Sequence, residues 1–451
     1  MSVLRLVHVL ILLSSFLISV SLGRSQDADR LVLELEASFQ RDIVEAWYPK
    51  VVDREYGGFL TTLDEKWRVS GNQNKFIVTQ SRHVWVLARL SIFLDDPEFT
   101  RMAIEGARFL NDAMWDPEFG GYYELVDRTG AEVLDRRKSA YGMSFAIYAL
   151  SNLYEASGED EVLAQAKRAF NWMETFSWDS EFGAYVNSLE KNGDWALSSI
   201  DGIDTKYVGL KDYNSSIHML ECLTSLYRVW PDERVRERLD AMRNIVRDRF
   251  VQDKGYLHFY FTRDWQKLSL NGRDKEEVIA NFYTDHVSWG HDVETAFLLL
   301  EASHALEGEI DPRTLGVAKS LVDHALETGW DDDVGSLFYG GYYFDEGGPC
   351  AVIRPEKEWW VAAEGMNAFL LMAGLFPEEE KYQKAFDRQW SYIKRALIDP
   401  ENGGWRGYGL DGLSPQIDTP KAHVWKASYH DARSYMNCLE MLRGEFPLLQ
   451  H

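Results

Sequence analysis

The sequence predicts an all-α protein: an (α/α)6 barrel of twelve helices in six hairpin-linked pairs. A glycine turn flanked by acidic and aromatic residues recurs six times, at Gly57, Gly120, Gly183, Gly255, Gly340 and Gly403, 63 to 85 residues apart. Between the turns, apolar residues recur at i, i+3, i+4 and i+7 or i+8. Val84, Leu87, Ala88 and Ile92 form one such stripe, and Ala146, Ala149, Leu150 and Leu153 another. No Pro- or Ser-rich linker divides the 451 residues, so all six units belong to one domain.

The first helix of each unit is expected near residues 31–50, 98–114, 160–177, 232–250, 314–329 and 381–397. The second is expected near 80–94, 138–156, 214–229, 290–306, 358–374 and 427–442. Most turns lead into alternating residues, such as Tyr122 to Val126, that read as a short hairpin. A pair of this length cannot bury its own apolar stripe. Six pairs close naturally into a ring, one helix of each inside and one outside, and an open helical solenoid is the competing arrangement.

With 48 Lys and Arg against 72 Asp and Glu, the formal charge is −24, which repels phosphate backbones and anionic lipid surfaces and argues against nucleic acid as a partner. Cys222, Cys350 and Cys438 are too few and too scattered for a disulfide framework or a structural zinc site. At the N-terminus, Arg5 precedes an apolar run from Leu6 to Leu22, with small residues at the −3 and −1 positions of a cut after Gly23. Residues 1–23 therefore read as a signal peptide and 24–451 as one exported catalytic domain, periplasmic or secreted, with no membrane association after cleavage. The alternative is an uncleaved anchor. A monomer or weak dimer is expected.

The second helix of each unit begins with residues that a surface helix does not select: Arg82; Tyr141; Asn214 and His218; His291 and Glu294; Trp359, Trp360 and Glu364; then Trp425 and His430. All occupy the same end of the repeat, so inner helices would converge them on one pocket suited to acid/base work on a carbohydrate. His291 and Glu294 are i, i+3 neighbours, a spacing that lets the carboxylate orient the imidazole and raise its pKa. Each residue also has a plainer reading: a helix-surface pair for His291 and Glu294, core packing for His430, Trp359 and Trp360, and a structural ion pair for Arg82. His286, His291, Glu294 and His218 could supply metal ligands, but no H-E-x-x-H accompanies them and no metal is expected. There is no Gly-rich phosphate loop and no G-x-S-x-G elbow.

Three segments carry a resemblance: Ser288-Trp289-Gly290-His291-Asp292-Val293-Glu294, Glu358 to Asn367 (EWWVAAEGMN) and Trp425 to Arg433 (WKASYHDAR). Together with Gln80-Ser81-Arg82, Lys138 to Tyr148 and Asn214 to Glu221, all in the expected order, they resemble the N-acylglucosamine 2-epimerase superfamily and, within it, the cellobiose 2-epimerase branch, from about residue 30 to the C-terminus. The resemblance implies an (α/α)6 barrel and cofactor-free interconversion of a glucose and a mannose unit at the reducing end of a β-1,4-linked disaccharide, through C2 proton abstraction and an ene-diolate. It also implies that His291 and His430 handle the C2 proton, that Arg82 stabilises the ene-diolate, that Glu294 is the carboxylate partner and His218 the third histidine. Sugar contacts are implied for Tyr141, Asn214, Trp359, Trp360, Glu364 and Trp425. The sequence departs from the family at Ser216, where His is frequent, at Ala427-Ser428, where Cys-Pro is frequent, and near Ala362, where Gln is frequent.

The inventory fits that chemistry from below. Inverting C2 of an aldose requires removal of the proton beside the aldehyde and its return to the other face. Imidazoles titrate near neutrality and serve both steps, and an arginine holds the developing oxyanion. The rival readings are an aldose-ketose isomerase on mannose, an N-acylglucosamine 2-epimerase, a glycoside hydrolase using Glu294 and Glu364, and a non-catalytic sugar-binding protein.

Overall fold

The computed structural model describes residues 26–196, 210–345, 347–413 and 419–449, so the expected signal peptide lies outside the described residues. Twelve long helices dominate the described residues. In chain order they are α1 Gln26–Phe39, α2 Ile77–Leu94, α3 Pro97–Phe109, α4 Ala140–Ser157, α5 Asp160–Phe176 and α6 Tyr213–Val229. They continue with α7 Glu233–Ile245, α8 Trp289–Glu307, α9 Pro312–Thr328, α10 Trp359–Leu375, α11 Glu380–Tyr392 and α12 Tyr429–Arg443. The even-numbered helices contact one another in sequence, and α12 returns to α2, so the ring closes and the open solenoid is excluded.

Burial divides the two sets as the apolar patterning requires. In α10 nearly every residue from Trp359 to Met372 is buried, as befits an inner helix that is apolar all round. The odd-numbered helices bury one stripe, for example Phe99, Ala103, Gly106, Ala107 and Phe109 of α3, and wrap the outside. The first helix, α1, packs on α12, an outer helix against an inner one. One expected stripe is incomplete. Val84, Leu87 and Ala88 are buried, but Ile92, in the last turn of α2, is 39% exposed, because the helix end projects beyond the core.

The recurrent turn has a structural logic that composition alone does not reveal. The Asp53 carboxylate accepts from the amides of Glu55 and Tyr56. Asp116, Asp179 and Asp399 do the same two and three residues on. The glycine that follows takes a positive φ of 72° to 79° in these four turns, a region where a side chain is strained. Each carboxylate then pairs with a buried lysine: Lys75 with Asp53 at 3.1 Å, Lys138 with Asp116 at 2.9 Å, Lys211 with Asp179 at 3.2 Å and Lys421 with Asp399 at 2.8 Å. Asp331 and Lys357 form the equivalent pair in the fifth unit at 2.5 Å. In four cases the lysine stands two residues before an inner helix, so the pair ties the turn to the entry of that helix. The fourth unit has Gln252 and Val287 at these places and a cavity of about 620 Å³ lined by both. The hairpins are present: Leu125–Val126 pairs with Val133–Asp135 and with Lys75–Phe76 of the preceding unit. All three cysteines are free.

Candidate active site

The N-terminal ends of the inner helices surround a cavity of about 570 Å³. Its wall includes Arg82 of α2, Tyr141 of α4, His218 of α6, His291 and Glu294 of α8, Trp359 and Trp360 of α10, and His430 of α12. Loop residues Tyr283, Tyr339, Glu358, Tyr408, His423 and Trp425 complete the mouth. Trp425 precedes α12 rather than lying in it, and half its surface is exposed at the rim.

Besides His423 at the mouth, three imidazoles face this space, and each is held through Nδ1. His218 donates to Glu221 Oε2 at 2.9 Å, and His430 donates to Glu364 Oε1 at 2.6 Å. A carboxylate only accepts, so both rings carry the Nδ1 proton and keep Nε2 as a base. His291 Nδ1 lies 2.7 Å from Ser288 Oγ and 3.2 Å from Tyr213 Oη. The Trp360 indole stands beside both catalytic candidates, its ring 4.6 Å from that of His291 and 5.7 Å from that of His430.

Arg82 donates to the Trp425 carbonyl at 2.8 Å and to Tyr141 Oη at 3.1 Å, with its guanidinium over the rings of Phe145 and Tyr429. Two of its five N–H donors are thereby used to orient it, and its Nε–H is buried without a partner among the described residues. Below the cavity, Arg433 donates to Glu221, to Glu294 Oε1 at 2.5 Å and to Glu364 Oε1 at 2.7 Å. All four side chains are at most 2% exposed. One guanidinium thus gathers three carboxylates, two of which hold the Nδ1 atoms of His218 and His430.

Burial sets the protonation states. It pushes the His291 imidazole well below the usual range, and the neighbouring His218, His286, His430 and Arg82 add to the effect. Burial also pushes His430 well down, with Glu294 pulling the other way. Burial thus disfavours the imidazolium form of both rings. Glu221 has the opposite balance: burial disfavours its charge, but Arg433 and His218 outweigh it and hold the carboxyl at about 2. Burial pushes Glu358 up to about 7, against hydrogen bonds from Trp360 and Tyr408.

The structure brings together nine of the eleven expected site residues on the cavity wall and corrects three details. The i, i+3 pairing expected of His291 and Glu294 is made instead by His218 and Glu221, because Arg433 captures Glu294 and leaves it 3.8 Å from His430 Nδ1. His291 consequently has its pKa lowered by burial rather than raised by a carboxylate. Glu364, expected to touch sugar, lies beneath His430 and acts on it. Asn214 stands beside Tyr141, half-buried and behind the wall, and its Oδ1 has no hydrogen-bond partner among the described residues. Arg433, Glu221, Ser288 and Tyr213 were not singled out from sequence. The spacing of His218 to Glu221 and of Ser288 to His291 carried a signal for two of them, whereas Arg433 and Tyr213 meet their partners only through the closure of the ring.

Among the described residues, one group has metal-ligand geometry: Glu294, Glu364 and His430, with donor atoms within 4.8 Å of one another. Oε1 of each carboxylate accepts from Arg433 Nη2, while Oε2 of each is buried without a partner among the described residues. His286 lies behind the wall, packed among Phe259, Phe282 and Tyr339.

The chain is similar to known proteins over most of its length. The family model described as N-acylglucosamine 2-epimerase (GlcNAc 2-epimerase) matches residues 57–433. Cellobiose 2-epimerase of Bacteroides fragilis is 31% identical over 420 residues, covering 91% of this chain and 98% of that protein. D-mannose isomerase of Marinomonas mediterranea is 27% identical over 417 residues, covering 91% and 96%. The solved structure of cellobiose 2-epimerase from Bacillus thermoamylovorans superposes with a TM-score of 0.79 at 25% identity, covering 91% of this chain and 99% of that one. The chain therefore belongs to the N-acylglucosamine 2-epimerase family of carbohydrate epimerases.

Proposed function

We propose that the chain interconverts glucose and mannose units at the reducing end of a β-1,4-linked, cellobiose-type disaccharide by moving the C2 proton. The observation that carries this reading is the triangle of His291, His430 and Arg82 around one cavity, with Trp360 beside both imidazoles. Once the sugar ring is open, one imidazole removes the C2 proton and Arg82 holds the charge that develops on O1. After rotation about C2–C3 the opposite imidazole, which enters that direction as the imidazolium, delivers its own proton to the other face and is left neutral, so the acceptor of one direction is the donor of the reverse. Glu364 and Glu294 favour the imidazolium form of His430 when it carries the proton. Likeness to cellobiose 2-epimerases supports the disaccharide, and the Tyr283 to Trp425 rim leaves space for a second sugar unit.

A second reading, isomerisation of mannose to the ketose, is favoured by the likeness to D-mannose isomerase and differs only in returning the proton to C1. Hydrolysis is disfavoured because Glu294 and Glu364 share one guanidinium and Glu364 lies beneath the wall, so they do not flank a glycosidic bond. Incubation with cellobiose, mannobiose, mannose and N-acetylglucosamine in heavy water, followed by NMR, tests the proposal. Deuterium at C2 of an epimerised disaccharide is expected. A ketose would select the isomerase, and free glucose from cellobiose would select the hydrolase. The run from Leu6 to Leu22 supports export, and N-terminal sequencing of the protein from its native cell tests it: a mature chain beginning at Arg24 is expected, and an intact Met1 refutes cleavage.

A further inference from the structure

A polar residue at a helix N-cap ordinarily accepts hydrogen bonds from the amides of the first turn. Ser139 and Asp212 do so at the entries of α4 and α6. Ser288 and Glu358 occupy the same position at α8 and α10 and do not. Ser288 turns to His291 instead, and Glu358 Oε2 accepts from the indole Nε1 of Trp360 at 2.8 Å. Both helices forgo a cap in favour of a residue that lines the cavity.

Trp360 is confined from the other side as well. A Cβ on Gly290, one residue before His291, would come within 2.6 Å of the indole ring, so the ring lies directly on the α8 backbone. From there it meets both His291 and His430. A tilt of the indole in its plane moves its ring atoms relative to both imidazoles. The only hydrogen bond that fixes this tilt among the described residues is the one to Glu358.

We propose that Glu358 is a positioning residue: by holding the Trp360 indole N–H it fixes the two imidazoles on either side of the substrate in reactive register. This rests on the proton-transfer reading of the same site. Loss of this hydrogen bond is expected to lower kcat on the order of tenfold in Glu358→Leu. Glu358→Gln keeps an acceptor for the indole and should restore kcat to within about threefold of the wild type. Trp360→Phe has no N–H to hold, so adding Glu358→Leu to it should change kcat less than about twofold.

The cycle is measured by NMR on the full chain with the sugar on which the wild type is most active. If Glu358→Leu costs as much in the Trp360→Phe background as in the wild type, the proposal is overturned, since Glu358 would then act on substrate directly. A Glu358→Gln variant as slow as Glu358→Leu would also overturn it. An activity-independent arm uses the ¹⁵N–¹H resonance of the Trp360 indole, assigned by its disappearance in Trp360→Phe. It should move in Glu358→Leu and stay near its place in Glu358→Gln, and an unmoved signal in Glu358→Leu refutes the hydrogen bond. If the wild type acts on none of the sugars, the proton-transfer reading fails while the resonance still reports on the indole.

Discussion

Replacing Glu364 by Gln isolates the contribution of one buried charge to catalysis. Glu364 Oε1 accepts both from His430 Nδ1 at 2.6 Å and from Arg433 Nη2 at 2.7 Å, while Oε2 is buried without a partner among the described residues. Glutamine can keep its carbonyl at the Oε1 position and place its amide where Oε2 stands, so both donors retain an acceptor and the shape is unchanged. What changes is charge. A hydrogen bond to a charged group contributes roughly 1.5–3 kcal/mol and a neutral one roughly 0.5–1.5, a difference of about 1 to 1.5 kcal/mol, or about tenfold in a rate. That difference applies when His430 carries a proton, so kcat should fall about tenfold with KM within about twofold. Arg433 keeps Glu221 and Glu294, so the barrel should stay folded, with unfolding free energy changed by less than about 3 kcal/mol through the newly buried amide. Initial rates of disaccharide epimerisation by ¹H NMR, with urea unfolding alongside, give both quantities. A kcat within twofold of the wild type would refute the reasoning that Glu364 acts through the charge of His430.

His291→Ala and His430→Ala should each lower epimerisation by at least ~10²-fold with the helical circular dichroism unchanged. Solvent exchange at C2 without inversion in one variant identifies the surviving base, and near-normal turnover removes the residue from the mechanism. Acid stability should follow Glu221. Its carboxyl titrates at about 2 when folded against 4.5 for an unperturbed glutamate, so its contribution is present above pH 4.5 and is lost as pH falls from 4.5 toward 2. By pH 3.5 about 1 kcal/mol should have gone, and Glu221→Gln should lack that part of the loss; an equal loss in both proteins counts against it. Lys138→Met strands the buried Asp116 carboxylate and should lower unfolding stability by about 3 kcal/mol in urea titration. A change under about 1 kcal/mol would mean that the turn-to-helix clamp carries little of the stability.

The barrel was legible because its signals are local and repeated. Apolar spacing located the twelve helices to within a few residues at most ends, and the glycine turns gave the period, except that the fifth turn uses Gly335 (φ 78°) while Gly340 lies in a strand. The lysine clamp was not read, since Asp116 and Lys138 stand 22 residues apart and no local periodicity links them. The same division holds at the cavity. Arg82, His291, His430, Trp359 and Trp360 stood out because polar and aromatic types at the start of an apolar helix are anomalous where they stand, whereas Arg433 looks like one more helical cation until the ring brings α6, α8 and α10 around it.

Among the histidines of the cavity wall, the spacing of histidine and glutamate at i, i+3 occurs twice, in His218 with Glu221 and in His291 with Glu294, and sequence cannot rank the two. Distance along a helix makes a contact possible in both. Competition decides which forms. In α6 the Glu221 carboxylate has two oxygens to divide, Oε2 to its own helix's His218 and Oε1 to Arg433 and Tyr429, so the local pair survives. In α8 the Glu294 oxygen that makes a hydrogen bond is claimed by Arg433, and Ser288, at the N-cap, is already in place at His291 Nδ1. His291 is left without a carboxylate and His430 gains Glu364. The two imidazoles beside Trp360 are thereby unequal, one held by hydroxyls and the other by a carboxylate, which suits a pair in which one partner spends longer protonated than the other.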